Sequence, residues 1–147
     1  MKLISHRGNI NGKQPDLENS PNYIKDAIKK GYDVEVDVWW KDHKFYLGHD
    51  KPTYKVTAEF LQQTELWCHA KNLAALVQMK KYDVWYLKPI HYFWHQNDDV
   101  TITSKGIIWA YPGKQPIAKS IAVLPEIYKD DVSKCIGICS DKIEEYK

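Results

Sequence analysis

Apolar and polar residues alternate along "DVEVDVWW", residues 33 to 40. If the segment is extended, Val34, Val36 and Val38 share one side and Asp33, Glu35 and Asp37 the other. Its β-branched and aromatic content predicts a strand, and the row of carboxylates is either an exposed sheet face or a cation site. Upstream, "KLIS" is a short β-prone run closed by Arg7 and Gly8, and "GNINGKQPDLENSPN" reads as a polar loop. A helix is predicted next. Ser20 is the candidate N-cap, Pro21 takes the first helical position, Tyr23, Ile24, Ala27 and Ile28 form the apolar face, and Gly31 stops it. After the acidic strand, "DHK" turns the chain into a second strand, "FYLGH". "TAEFLQQ", capped by Thr57, and "NLAALVQMKK" have helical spacing, with "LWCHA" a strand between them and "DVWYL" a strand after.

Past Pro89, "HYFWHQNDDVTITSKGIIWAYPGKQP" is aromatic and β-prone, with no clear helix between its apolar runs, and "SIAVLPEIY" and "CIGICSD" are the last strand candidates. No internal repeat, low-complexity tract or linker divides the chain, so a single domain over residues 1–147 is expected. Strand and helix alternate for most of the first ~90 residues, which predicts an α/β fold with a parallel sheet.

Composition removes several function classes. With 147 residues, 44% of them hydrophobic and 27% charged, the chain can bury a proper core. The 21 basic and 19 acidic residues leave a formal charge of +2, with lysines scattered singly or in pairs, which argues for no nucleic-acid partner. No segment approaches the roughly 18 apolar residues of a membrane span, and "MKLISHRGNI" lacks the apolar core of a signal peptide, so a cytoplasmic protein is expected. Cys68, Cys135 and Cys139 suit neither a disulfide framework nor a four-cysteine zinc site and read as reduced core residues.

The candidate chemistry gathers at the C-terminal ends of the predicted strands, where α/β folds build their sites. The first strand ends in His6 and Arg7, the second carries Glu35 and Asp37, the hairpin strand ends in His49 and Asp50, and "LWCHAKN" offers His69 and Lys71. Two carboxylates make an oxygen-rich site for a hard divalent cation such as magnesium or calcium. Histidines exchange protons near neutral pH, and an arginine grips a pair of phosphate oxygens in its planar fork.

The run "SHRG", then "LENS", then a helix ending "AIKKGYD", then "VEVDV" and "YLGHD" resembles the N-terminal half of the glycerophosphodiester phosphodiesterase family, within the phospholipase-C-like phosphodiesterases. That family's pattern is HRG, a PENT-like element, ExD and HD. At the other end "IIWAYPG" looks like its late strand and "GICSDKIEEY" like its closing strand, while residues ~75–105 are unmatched. The resemblance implies a (β/α)8 barrel with the site on its C-terminal face. It implies His6 and His49 as the acid–base pair, Arg7 as phosphate clamp, Glu35 and Asp37 as metal ligands, and Glu18 at the site's edge.

Two departures from the family pattern matter. The third metal ligand stands where this chain has Cys68-His69-Ala70-Lys71, so Lys71 fits the family lysine but His69 replaces a carboxylate. An imidazole ligand would favour manganese or zinc over calcium. Alternatively Asp98, Asp99 or Glu126 supplies the missing oxygen, or the metal site is degraded. Length is the other departure, since a full barrel takes ~250 residues. The expected fold is therefore α/β, a trimmed (β/α)8 TIM-like barrel with several shortened or missing helices. Its uncovered strand faces would be covered by the six tryptophans and ten tyrosines, or in a homodimer.

The expected function is a metal-dependent phosphodiester hydrolase acting on a small-molecule, glycan or lipid phosphodiester of the glycerophosphodiester kind, by His/His general acid–base catalysis. The rival is a catalytically silent relative that binds a phosphate-bearing glycan or lipid head group. His91, His95, Asp98 and Asp99 are assigned no role, His43 is expected in an exposed turn, and Trp109 could line the pocket.

Overall fold

The computed structural model describes residues 1–147. In chain order its elements are β1 (Lys2–His6), α1 (Pro21–Lys29), β2 (Asp33–Lys41), β3 (Lys44–Leu47), β4 (Tyr54–Val56), α2 (Ala58–Leu61), β5 (Leu66–Ala70), α3 (Leu73–Lys80), β6 (Tyr92–Trp94), β7 (Val100–Ile102), β8 (Ile108–Ala110), β9 (Ser120–Val123) and β10 (Gly137–Ser140). Local signals set most of these bounds. Pro21 opens α1, which ends before Gly31 at φ 91°. Thr57 caps α2 by accepting the Phe60 N–H, and Asn72 caps α3 by accepting that of Ala75. Asp42 and His43, at φ 50° and 61°, make the tight turn from β2 to β3 and lie exposed.

All ten strands join one mixed sheet. β1 pairs in parallel with β2 on one side and β10 on the other. Parallel pairing continues from β2 to β5 and β6, and from β10 to β9 and β8. β3 and β4 form an antiparallel ribbon on the C-terminal part of β2, and β7 is antiparallel to β8. The sheet curls until the chain around β7 meets β6, where Ser104 N donates to Tyr92 O at 2.7 Å and Thr101 Oγ1 to Trp94 O at 2.9 Å.

The result is a sheet-dominated, curled half-barrel with three short helices, which corrects the expected trimmed (β/α)8 barrel. A barrel of that kind needs a crossover helix between each pair of parallel strands, a dozen or more residues per connection. Here the steps from β2 to β4 and from β7 to β8 are antiparallel hairpins, and no α-helix follows β6, β8 or β9. Nor is "DVWYL" a strand: residues 83–87 form turns, with Trp85 95% exposed. Strand propensity reflects fit to a half-buried pleated surface, and this segment has no sheet neighbour to provide one.

The two faces of the sheet bury different residues. On the convex side Val34, Val36 and Val38 pack with Ile24 and Ala27 of α1, Met79 of α3, and Leu61, Leu66 and Cys68. On the concave side Ile4, Trp67, Phe93, Trp109, Ile121, Val123 and Cys139 form a second cluster. Trp67 and Trp109 lie 5.5 Å apart between ring centroids, and Phe93 and Trp109 4.7 Å. Of the six tryptophans expected as outer cover, Trp67 and Trp109 thus fill the concave floor, each buried ring of this size contributing on the order of 1.5–3 kcal/mol. Cys68, Cys135 and Cys139 are free thiols, the first and last fully buried. No helix is long and apolar enough to cross a membrane.

Candidate metal centre

The alternation in β2 fixes the site's chemistry. With its valines turned to the convex core, Glu35 and Asp37 must face the concave side, above the aromatic floor. They are 3% and 0% exposed, so the carboxylate row is not a solvated sheet face. Pairing in parallel register places Asp37 beside His69 of β5, and Glu35 beside His6 of β1.

His69 Nδ1 lies 3.3 Å from Asp37 Oδ1 and 3.7 Å from Glu35 Oε1, and one donor atom from each of the three residues falls within 4.8 Å of the others. Atoms bound ~2.0–2.2 Å from one ion stand roughly 3–4 Å apart, so the spacing fits a shared divalent cation. Two further observations fit it. Asp37 Oδ1 and Glu35 Oε2 are buried oxygens with no hydrogen-bond partner, and such orphans are rare without a counter-charge. His6 Nε2 also faces Glu35 Oε2 at 3.8 Å, a pair of atoms that needs a proton or a cation between them. Asp98 and Asp99 are exposed beyond β6, and Glu126 is engaged by Ser140 Oγ and Tyr146 OH, so none of these lies with the two carboxylates; the residue that does is His69.

Cations surround the carboxylates. Arg7 Nε lies 2.9 Å from Asp37 Oδ2, though its N–H is not aligned on the oxygen, and Arg7 also donates to Glu18 Oε2 at 3.3 Å. Lys71 Nζ is 3.7 Å from Asp37 Oδ1, and His49 Nδ1 is 3.5 Å from Oδ2. Asn19 grips Asp37 twice, donating Nδ2 to Oδ2 and accepting the Asp37 N–H, both at 2.9 Å. Burial by itself would raise the Asp37 pKa; hydrogen bonding to His49 and His69, with the charge of Arg7, outweighs it and holds the carboxyl well below the usual range. Burial would likewise lower His69, but Asp37 and Glu35 push it up to about 9.

Backbone conformation delivers two of these side chains. Arg7 adopts φ 56°, and the following Gly8 (φ 94°) brings the chain so close to Tyr23 that a Cβ would lie 2.6 Å from its ring. Gly48 (φ 154°) turns the end of β3 so that His49 reaches the site; a Cβ there would lie 2.1 Å from Lys51 O.

Together these residues line a cavity of about 610 Å³ at the C-terminal ends of the parallel strands, including His6, Arg7, Glu35, His49, His69 and Lys71. Trp109 borders it from the floor, and Glu18 sits at the edge, accepting from Asn9 Nδ2 at 2.8 Å. The nine residues given a role therefore lie in or beside this cavity, whereas Asp50, the other strand-end candidate, is exposed. Asn9, Asn19, His95, Tyr111 and Asp141 were not anticipated. Asp141 directly follows the last strand, as Arg7 follows the first, so the strand-end rule could have found it; Asn9 and Asn19 lie in a loop whose path no periodicity reveals. His91, by contrast, is buried below the site against Trp67, and burial lowers its pKa to about 3. Comparison with protein-family models, curated proteins and solved structures finds no match for this chain.

Proposed function

We propose that this chain is a metal-dependent phosphodiester hydrolase acting on a glycerophosphodiester-like substrate. The observation that carries the reading is the buried Glu35–Asp37–His69 triad with its orphaned carboxylate oxygens, bordered in one cavity by an arginine and two further histidines. The HRG, ExD and HD elements that resemble the glycerophosphodiester phosphodiesterases supply these residues, apart from His69.

Glu35, Asp37 and His69 would hold a divalent ion, magnesium or calcium by their carboxylates, manganese or zinc where the imidazole decides. Such an ion supplies neutralisation of charge on a phosphoryl oxygen. Arg7 meets Asp37 through Nε and Glu18 through Nη1, so Nη2 is left to take a second phosphoryl oxygen, with Lys71 near by on Asp37. One of His6 and His49 removes the proton of the attacking hydroxyl, which belongs to the substrate or to water, as its oxygen bonds to phosphorus. The other gives a proton to the alcohol oxygen as the phosphorus–oxygen bond breaks.

The test is phosphorus NMR of the purified chain with a panel of glycerophosphodiesters, in magnesium, calcium, manganese or chelator, beside a His6→Ala control. Metal-dependent turnover that disappears in the variant is expected. Phosphodiester binding without turnover under any metal would overturn the hydrolase and leave a head-group-binding protein.

A further inference from the structure

Exposed apolar side chains are scattered over most of this chain, but Val84, Trp85, Tyr86 and Leu87 follow one another and are all exposed, Trp85 by 95% and Tyr86 by 68%. They form a closed turn between α3 and β6. The Leu87 N–H donates to Val84 O at 3.1 Å and the Asp83 N–H to Lys80 O at 3.0 Å, which leaves Trp85 and Tyr86 at the tip, their rings edge to face with centroids 5.6 Å apart. The turn lies at the N-terminal ends of the strands, because α3 carries the chain back from the end of β5 to the start of its parallel neighbour β6. Gln62, just after α2, holds it there by donating Nε2 to Lys88 O at 2.6 Å. The cavity is at the opposite ends of the same strands.

Charge around the tip is of one sign. Residues 66–96 contain Lys71, Lys80, Lys81 and Lys88 but a single acid, Asp83, and that carboxylate is taken by the Tyr92 hydroxyl. Lys80 and Lys81 stand before the apolar run and Lys88 after it, all three exposed. A contiguous apolar patch with a polar rim marks a docking surface, and the rim decides for what. A second copy is disfavoured, since a two-fold interface sets a patch against itself and would bring both sets of lysines together. The tip is also convex, so a protein would have to offer it a groove. An anionic bilayer needs none: it takes tryptophan and tyrosine at head-group level, admits the apolar side chains below, and pairs lysines with its surface charge.

We propose that the turn at residues 80–88 seats this protein on an anionic phospholipid surface, with Trp85 and Tyr86 entering the head-group layer and Lys80, Lys81 and Lys88 pairing with lipid phosphates. The cavity mouth then stays open to water. Nothing in this docking depends on the phosphodiesterase reading, and it is measured without turnover.

The test is flotation of the full chain with phosphatidylcholine vesicles, with or without phosphatidylserine, in about 0.1 M and about 1 M salt, between which the screening length falls from about 10 Å to about 3 Å. The chain should float with the serine-containing vesicles at the lower salt and largely release at the higher, its tryptophan emission moving to the blue on binding. Trp85→Ala should weaken partition at least tenfold and abolish most of that shift. Replacing Lys80, Lys81 and Lys88 together by Gln should weaken it about a hundredfold, roughly fivefold for each lysine. All four side chains are exposed, so the variants should melt with the wild type. Absence of partition on any vesicle at the lower salt overturns the proposal. So does partition that neither variant reduces, which would place the lipid contact elsewhere, and so does a dimer in solution that Trp85→Ala dissolves, which would make a second copy the occupant.

Discussion

Glu35 and Asp37 are two carboxylates in one triad, yet their surroundings differ so much that neutralising each should have a different effect on the metal-free protein. Asp37 lies within 4 Å of Arg7, Lys71, His49 and His69 and is gripped by Asn19. Asp37→Asn keeps the shape but leaves a buried guanidinium and its cationic neighbours without their counter-charge. Breaking a buried pair in this way costs about 3–5 kcal/mol. Glu35 has only His6 at 3.8 Å and His69 at 3.7 Å, one orphaned oxygen, and the like charge of Asp37 beside it. Glu35→Gln should therefore change metal-free stability by ~1 kcal/mol or less, relief of like-charge repulsion offsetting the lost ion contacts. The assay is urea unfolding in chelator and again in magnesium or manganese. In metal at about a hundredfold its Kd the wild type should gain ~2.7 kcal/mol, and neither variant should. Equal destabilisation of the two variants in chelator would refute the reasoning about Asp37. A wild-type midpoint indifferent to every divalent cation would refute the metal centre.

Other consequences are equally open to measurement. His49→Ala and Arg7→Lys should each lower phosphodiester turnover, the first by about a hundredfold or more, the second by weakening the two-pronged grip on phosphate; phosphorus NMR rates check both. His91 is buried with its pKa lowered to about 3, against about 6.5 when unfolded, so the native state binds fewer protons and stability falls as pH drops below about 6.5. The loss attributable to His91 approaches roughly 4–5 kcal/mol below about pH 3, and His91→Gln should flatten that part of the acid limb in urea unfolding at several pH values. Asn72 caps α3 and also ties it to β2, its Oδ1 accepting from Ala75 N and Trp40 N and its Nδ2 donating to Trp40 O. Asn72→Ala should cost about 2 kcal/mol or more, above the ~1 kcal/mol of a helix cap alone, and a thermal scan reads the difference.

The fold was legible in the sequence wherever a local rule carries it. Ser20-Pro21, Thr57 and Asn72 opened helices close to where they were expected, and the alternation of "DVEVDVWW" gave both a strand and the side its carboxylates take. Legibility failed where the outcome depends on a neighbour distant in the chain. "DVWYL" has the composition of a strand but no partner, while Tyr92–Trp94 becomes one by pairing with Cys68–Ala70. The number of crossover helices departs furthest from expectation, because the motifs that carry the resemblance are confined mostly to strand ends and say little about what lies between later strands.

That same confinement explains why an incorrect architecture still led to a single cavity. In a parallel sheet a residue's place at the C-terminal end of its strand depends on register with its neighbours, and neither a helix nor a hairpin in the next connection alters it. His6 aligns with Glu35, and Asp37 with His69, through pairings of β1, β2 and β5 that persist with the outer helical ring largely absent. His49 arrives on an antiparallel ribbon, placed by Gly48. The residues that escaped notice, Asn9 and Asn19, sit where the loop after β1 folds back over the strand ends, and they act by orienting Asp141 and Asp37. Motif residues gathered around one cavity are thus recoverable from strand ends, whereas the residues that hold them in place come from loop geometry and appear only in three dimensions.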